Sequence, residues 1–270
     1  MKKLELRTVG AAGIALLALG LSAGAVKAQD GPLETLVPGV LTCATDGAYA
    51  PLAYTTPSGK LEGVAVRVVE EVVRRTGLKY NPIVTGFAGA LPGLLADKWD
   101  MVCVTLDITA ERQKSVLFAD AWLESGGILV VHKDSNINEV KDVQGKVMGV
   151  LTGSSWVKLV EPLGAKEVKY FQSDIEAMHA VANGRVDGMV TEALVAAHAI
   201  GVTKLPLKTM KERLSTTQKG WATRTHRVNL VKAINKALAS MVEDGTYEKL
   251  TTELIGYNPY PKNPIRSIIP

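Results

Sequence analysis

The sequence predicts an α/β protein of two lobes, in which each lobe is a sheet flanked by helices and two strands form the hinge between them. Short apolar strands alternate with amphipathic helices in a β-α-β-α-β order over residues 39–106, which is typical of a parallel sheet with right-handed crossovers. A second unit of the same kind begins near residue 145. The chain is again extended at about 216–223, where it is expected to return to the first unit.

The elements of the first unit follow from periodicity and from glycine positions. Gly63 and Gly77 bracket a helix whose valines recur at helical spacing, and a run rich in leucine forms the second helix. The strands are expected at 39–46, 79–84 and 99–106, and the helices at 64–76 and 87–96.

The second unit repeats this order after a candidate hinge at Gly126 and Gly127. Its strands are expected at 128–131, 145–150, 168–171 and 187–190, with helices at 156–163 and 174–183 and two C-terminal helices at 229–242 and 246–255. The expected organisation is therefore lobe 1 at 29–126 and 222–270, and lobe 2 at 127–221.

The third strand runs into a polar segment that suggests a ligand site. Its buried part is continuous and apolar, but Thr105 and Asp107 follow directly, and Thr109 is a plausible N-cap of the next helix. Open α/β sheets bind small ligands at such strand ends. Arg112 could turn back toward the strand end and hold a carboxylate with two parallel hydrogen bonds. It could equally be solvated on the helix or paired with Asp107.

The first 28 residues read as a secretory signal peptide, with a basic start, an apolar run and small residues before a cleavage site after Ala28. Four basic residues and one acidic residue in this segment supply most of the chain's net charge of +4. The exported chain is therefore nearly neutral, and its charge does not suggest nucleic-acid binding. No later apolar run approaches the ~20 residues that a membrane span needs.

Two cysteines remain in the exported chain, Cys43 and Cys103, both within apolar strand-like runs. A disulfide is possible in an oxidising compartment, and two buried free thiols fit the pattern equally well. The histidines show no ligand spacing, so no metal site is expected.

Eight segments in order resemble the polar-amino-acid type of periplasmic solute-binding proteins (family 3 extracellular solute-binding proteins), which serve ABC importers. The segments are TDGAYAPLAY (45–54), GVAVRVVEEVVRRTGL (63–78), LPGLLADKWD (91–100), DITAER (107–112), VLFADAW (116–122), GKVMGVLTGSS (145–155), NGRVDGMVTE (183–192) and DGTYEKL (244–250).

This resemblance implies a type II-like periplasmic binding protein fold that closes by a hinge on a small solute. It also implies a periplasmic location, a permease of the inner membrane as partner, no cofactor and no catalytic residue; we expect a monomer. Arg112 and backbone amides around Ser154 and Ser155 would hold the ligand carboxylate, and Thr105 and Glu192 would accept from its ammonium group. Further contacts are implied for three residues of the first lobe, namely Asp46, Tyr49 and Phe87.

Asp107 departs from the family pattern, which has a small hydroxyl residue there, and Glu192 stands where the family usually has Asp. A buried extra carboxylate needs a partner. Asp107 would pair either with Arg112 or with a cationic group on the ligand. The solute could therefore be an amino acid, an opine or an ectoine-like molecule.

An enzyme is the competing hypothesis. Exported cyclohexadienyl dehydratases, which act on arogenate or prephenate, resemble these binding proteins, and the acids Asp107 and Glu192 could in principle serve as a general acid and base.

Overall fold

A computed structural model describes residues 31–269 of the chain. The α-helices of this part are α1 (Val64–Thr76), α2 (Phe87–Leu95), α3 (Val157–Val160), α4 (Asp174–Ala182), α5 (Ala193–Thr203), α6 (Val228–Glu243) and α7 (Thr246–Ile255). The strands are β1 (Val40–Thr45), β2 (Ala48–Tyr49), β3 (Ala53–Thr55), β4 (Leu61–Glu62), β5 (Lys79–Val84), β6 (Met101–Asp107), β7 (Leu117–Phe118), β8 (Leu123–Ser125), β9 (Gly127–His132), β10 (Val147–Leu151), β11 (Glu167–Phe171), β12 (Gly188–Glu192), β13 (Leu207–Arg213) and β14 (Thr217–Thr223). No helix of the described chain is both long and apolar enough to span a membrane.

The first sheet has the order β5-β1-β6-β14-β7, and β8 pairs with β14 beside β7. β1 is parallel to both β5 and β6, whereas β14 is antiparallel to its neighbours. Alternate residues of the central strands enter different cores: Cys43 and Cys103 pack with α1, and Ala44 and Val104 pack with α2. Because both faces are covered, the central strands read as continuous apolar runs.

The second sheet has the order β11-β10-β12-β9-β13. β10 is parallel to β11 and β12, and β9 runs antiparallel between β12 and β13. The chain passes between the two sheets at residues 125–127 and again at 214–216. These sheets confirm the two-unit α/β architecture that the sequence predicts.

The two crossing segments lie side by side. Leu214 N–H donates to Gly127 O at 2.8 Å, and Gly127 N–H donates to the Ser215 hydroxyl at 3.1 Å. A Cβ at residue 126 would lie only 1.8 Å from Ser215 O, so this position of the hinge requires glycine.

Three sequence expectations need correction at this level. The helix expected after Thr109 is a three-residue 3₁₀ turn, Arg112–Lys114, because the chain turns into buried β7 directly afterwards. The expected boundary at 221/222 falls inside β14, which pairs with β6 and β8 of the first sheet from Thr217 onward. The elements α5 and β13 have no counterpart among the predicted elements.

The two cysteines of the described chain are bonded to each other. Cys43 on β1 and Cys103 on β6 form a disulfide, with their Cα atoms 5.7 Å apart. The bond links neighbouring parallel strands a short distance before the strand ends that carry the polar residues of the candidate site.

Candidate functional site

Polar strand ends of both sheets meet in one narrow cleft. Asp107 ends β6 of the first sheet, and it accepts a hydrogen bond from the hydroxyl of Ser155, which follows β10 of the second sheet. Six of the nine predicted ligand-binding residues line the space between the sheets, together with Leu151 and Trp156: Tyr49, Phe87, Thr105, Asp107, Ser154 and Ser155. This space measures about 10 Å³, room for roughly one water molecule. This inner part of the cleft is therefore too small for a solute in the arrangement that the structure shows.

Arg112 lies at the edge of this cleft and spans it. Its Nη1 donates to the backbone oxygen of Asp107 at 2.9 Å, and its Nη2 donates to the backbone oxygen of Gly153 in the second sheet's loop at 3.1 Å. The guanidinium carbon is 6.0 Å from the centroid of the Phe87 ring. Burial lowers the pKa of Arg112, and no carboxylate of the described chain lies in salt-bridge range of it. This cation has carbonyl partners and no counter-ion.

Asp107 pairs with a lysine and not with Arg112. Its carboxylate forms a salt bridge with Lys219, which lies on β14 and is 1% exposed. The hydroxyls of Ser155 and Thr217 also donate to it, the latter at 2.9 Å. Burial alone would raise the pKa of Asp107, but the Lys219 ammonium and these hydrogen bonds outweigh it and hold the pKa below its ordinary value. The expected pairing with Arg112 is therefore wrong, because Lys219 is the cation that the chain supplies.

Glu192 contacts the same ammonium group from the other sheet. Its Oε1 accepts from the Ser125 hydroxyl and, at 3.3 Å, from the backbone N–H of Gly126. Its Oε2 lies 2.9 Å from Lys219 Nζ. That oxygen has no hydrogen-bond partner of acceptable angle among residues 31–269, so the contact is an ion pair and not a hydrogen bond.

An aromatic ring and a hydroxyl complete the surroundings of the Lys219 ammonium. Nζ is 4.9 Å from the ring centroid of Trp156 and donates to the Thr217 hydroxyl at 2.6 Å. We call these four partners of Lys219 the ammonium box: Asp107, Glu192, Thr217 and Trp156. Carboxylates and an aromatic face are the groups that bind organic cations in proteins.

A second group of acids lies beside the box. Asp174, at the start of α4, is 2% exposed and accepts from the Thr191 hydroxyl through Oδ1, while its Oδ2 has no hydrogen-bond partner in the described chain. Burial, and then the charges of Asp46 and Glu192, raise the pKa of Asp174 to about 7. Burial likewise raises the pKa of Asp46. Asp174 is absent from the predicted set, and its position at a helix start in an ordinary SD motif gives no local signal.

Tyr49 faces these acids, whereas the hydroxyls of two other predicted site residues have no partner. Burial, and then the charges of four acids around it, raise the pKa of Tyr49 well above 10, so its hydroxyl stays protonated. The hydroxyls of Thr105 and Ser154 are buried and have no hydrogen-bond partner in the described chain. The Ser154 N–H already donates to Leu151 O at 3.1 Å. No group of acids, histidines and cysteines in residues 31–269 has the arrangement of a metal site.

Asp174→Asn is expected to stabilise the protein at pH 8 and to have less effect as the pH falls toward 5. The folded state holds the proton of Asp174 with a pKa of about 7, whereas the unfolded chain releases it near 3.8. The free energy of unfolding therefore falls as the pH rises from about 4 to about 7. Asn removes this loss, and we expect a gain of about 1–3 kcal/mol at pH 8.

Urea unfolding of both proteins between pH 5 and pH 8 measures this difference. The control is Asp134→Asn, which changes an acid that is 73% exposed. If the profiles of wild type and Asp174→Asn run parallel over this range, Asp174 is not the group that titrates there.

Known proteins match this chain in both sequence and fold. The model of the bacterial extracellular solute-binding proteins, family 3, matches residues 41–257. A putative amino-acid ABC transporter-binding protein of Vibrio harveyi is 30% identical over 90% of this chain and 96% of its own length. An ancestral arginine-binding protein bound to glutamine superposes with a TM-score of 0.77 at 33% identity, over 82% of this chain and 99% of that one. An ancestral amino acid-binding protein, described as a precursor of cyclohexadienyl dehydratase, has a TM-score of 0.74 at 28% identity, over 80% and 96% of the two chains.

The matched region contains the second sheet, the first sheet except Val40, and every predicted ligand-binding residue. The chain belongs to the bacterial extracellular solute-binding proteins, family 3.

Proposed function

We propose that this protein is the extracytoplasmic substrate-binding component of an ABC importer and that it captures an amino acid or amino-acid-like solute between its lobes. The observation that carries the proposal is the Arg112 guanidinium, a half-buried cation at the cleft whose hydrogen-bond partners in the described chain are two backbone carbonyls. A solute carboxylate would offer this group the counter-ion and the two parallel hydrogen bonds that it lacks.

The carboxylate would also meet the second lobe. The Ser154 hydroxyl is buried beside Arg112 and has no hydrogen-bond partner in residues 31–269, so it is placed to donate to a solute oxygen. Thr105, on the opposite wall, has an equally unpaired hydroxyl. Tyr49 and Phe87 supply the apolar surface of the first lobe.

Closure of the lobes is the second part of the proposal. Contacts between the two sheets hold the closed form: the Ser155 hydroxyl with Asp107, Arg112 with Gly153, and Lys219 with Glu192. A solute shifts the protein toward this form only through contacts that it makes to both lobes at once. The glycine at 126 and the paired crossing segments support a hinge at 125–127 and 214–216, with lobe 1 formed by the chain up to 126 and from 217 onward, and lobe 2 by 127–216.

We further propose export to the periplasm, cleavage after Ala28 and delivery of the solute to an inner-membrane permease by a monomer. The signal-peptide prediction lies outside the described residues. The resemblance of the chain to a family of extracellular proteins supports it.

We propose that the protein is not an enzyme. The two acids considered for dehydratase chemistry, Asp107 and Glu192, share the Lys219 ammonium, and this pairing opposes the proton transfers that a general acid or base must make. Formation of product from prephenate or arogenate by the purified protein would contradict this part of the proposal.

The decisive experiment is to identify the solute. Mass spectrometry of small molecules released from the purified protein is expected to find an amino-acid-like carboxylate. Addition of that molecule to stripped protein should then raise the melting temperature in proportion to the logarithm of its concentration. If no carboxylate is released and none of a panel of amino acids, opines and ectoines raises the melting temperature, the proposed function is wrong.

A further inference from the structure

We infer that the Lys219 side chain occupies the subsite that would otherwise bind a solute ammonium, and that the preferred solute is therefore a carboxylate with no ammonium on the adjacent carbon. This inference rests on the proposed function and narrows its ligand class. It comes from the ammonium box, whose composition is that of a cation site and whose occupant is a side chain of the same chain.

The box is built from both sheets and closes around one charge. Asp107 and Thr217 come from the first sheet, and Glu192 and Trp156 come from the second sheet and the loop region after β10. Lys219 Nζ contacts all four. An ammonium group has three N–H donors, and here Nζ donates to Asp107 and Thr217 and forms an ion pair with Glu192 Oε2.

The acceptors of the box have little capacity left for a second cation. Oδ1 of Asp107 accepts from Lys219 and Thr217, and Oδ2 accepts from the Ser155 hydroxyl. Oε1 of Glu192 accepts from Ser125 and Gly126, and Oε2 faces Lys219. The unpaired oxygens near the box in the described chain are Glu192 Oε2, which already lies against Lys219 Nζ, Asp174 Oδ2, which lies outside the box, and the neutral Thr105 hydroxyl.

The charges lead to the same conclusion. Lys219 offsets Asp107, and a solute ammonium near Glu192 would lie within a few ångströms of the Lys219 ammonium, where like charges repel. The solute ammonium would have to share the Glu192 carboxylate with Lys219, and repulsion at such short range rejects a solute as effectively as a missing contact. A hydrogen, hydroxyl or oxo group in place of the ammonium avoids that repulsion and leaves the Arg112 contact unchanged.

Removal of Lys219 should therefore change which solutes bind. Lys219→Met empties the box but leaves two buried carboxylates near each other, which endangers folding. Asp107→Asn/Lys219→Met removes one charge of each sign, so the net charge of the site is unchanged and Glu192 is free to accept from a solute ammonium. Lys79→Met is the matched control, because Lys79 is exposed at the amino end of β5, away from the strand ends of the cleft.

The experiment measures binding of matched solute pairs by isothermal titration calorimetry to wild type, both variants and the control. Each pair is an amino acid (L-arginine, L-glutamine or L-histidine) and the same molecule with its α-ammonium replaced by hydrogen. In at least one pair, wild type and Lys79→Met are expected to bind the molecule without the ammonium at least tenfold more tightly than they bind the amino acid. Asp107→Asn/Lys219→Met should show the reverse preference and bind the amino acid more tightly than the molecule without the ammonium.

Each result has one meaning. If wild type binds no member of any pair while the double variant binds an amino acid, the result also supports the inference, because the subsite then opens only when Lys219 is removed. Tighter binding of the amino acids by wild type, or the same preference in wild type and double variant, overturns the inference and leaves the proposed function intact. If none of the proteins binds any member of any pair, and circular dichroism shows them folded, the inference is overturned, whereas the proposed function is judged by the solute that the purified protein releases.

Discussion

Arg112→Ala is expected to weaken solute capture severely and to leave the fold intact. In the described chain the guanidinium has no carboxylate partner, and a solute carboxylate bound in a closed cleft would lose this charged contact. Removal of one partner of a buried charge pair costs about 2–5 kcal/mol, which corresponds to a loss of affinity between about 30-fold and a few thousandfold. The fold should survive because Arg112 is half-buried on a short 3₁₀ turn, and its side chain adds only two hydrogen bonds, to the backbone oxygen at the end of β6 and to one in the loop after β10.

Calorimetry with the solute that co-purifies with wild type measures the loss, and circular dichroism checks the fold. Arg112→Lys keeps the charge but cannot form two parallel hydrogen bonds, so it should bind with intermediate affinity. Arg74→Ala is the control, because Arg74 is 70% exposed on α1 and pairs with Glu71. If Arg112→Ala binds the solute as tightly as Arg74→Ala does, the carboxylate lies elsewhere in the cleft.

The parts of the site that the sequence predicts are those with a local signal. Asp107 and Glu192 each end an apolar strand, and Ser154 and Ser155 follow one, so the pattern places them at sheet edges without knowledge of the tertiary structure. The disulfide stayed open because two cysteines in apolar runs fit a bond and buried thiols alike. Only the pairing of β1 with β6 brings Cys43 and Cys103 together.

Lys219 was missed because its role depends on contacts between distant parts of the chain. It is 112 residues from Asp107 in sequence, and it meets that carboxylate only because β14 lies antiparallel beside β6, with residues 219 and 107 opposite each other. A usable signal did exist: an extra buried acid requires a cation, and Lys219 is the only lysine within the extended run 216–223. The helix α5 was missed for a different reason, since its residues are mostly apolar on all sides and show no helical periodicity.

Loss of the disulfide is expected to lower the free energy of unfolding by about 4 kcal/mol, because Cys43 and Cys103 are separated by 60 residues and the bond restricts a loop of that length in the unfolded chain. Both cysteines are buried in the core that packs against α1, so Cys43→Ala/Cys103→Ala also removes some packing there. Solute affinity should change little in this variant, since the pairing of β1 with β6 persists in the folded state.

A reductant separates the loss of the bond from the loss of packing. Urea unfolding of wild type in a phosphine reductant should show most of the expected decrease, because the bond is reduced once the chain unfolds. The double variant should unfold at the same urea concentration with and without reductant, since it has no bond to lose. If the reductant leaves the wild-type transition unchanged, the two cysteines are not bonded in the protein. β1 and β6, whose carboxyl ends position Asp46, Thr105 and Asp107, would then be held together by their backbone pairing and core packing alone.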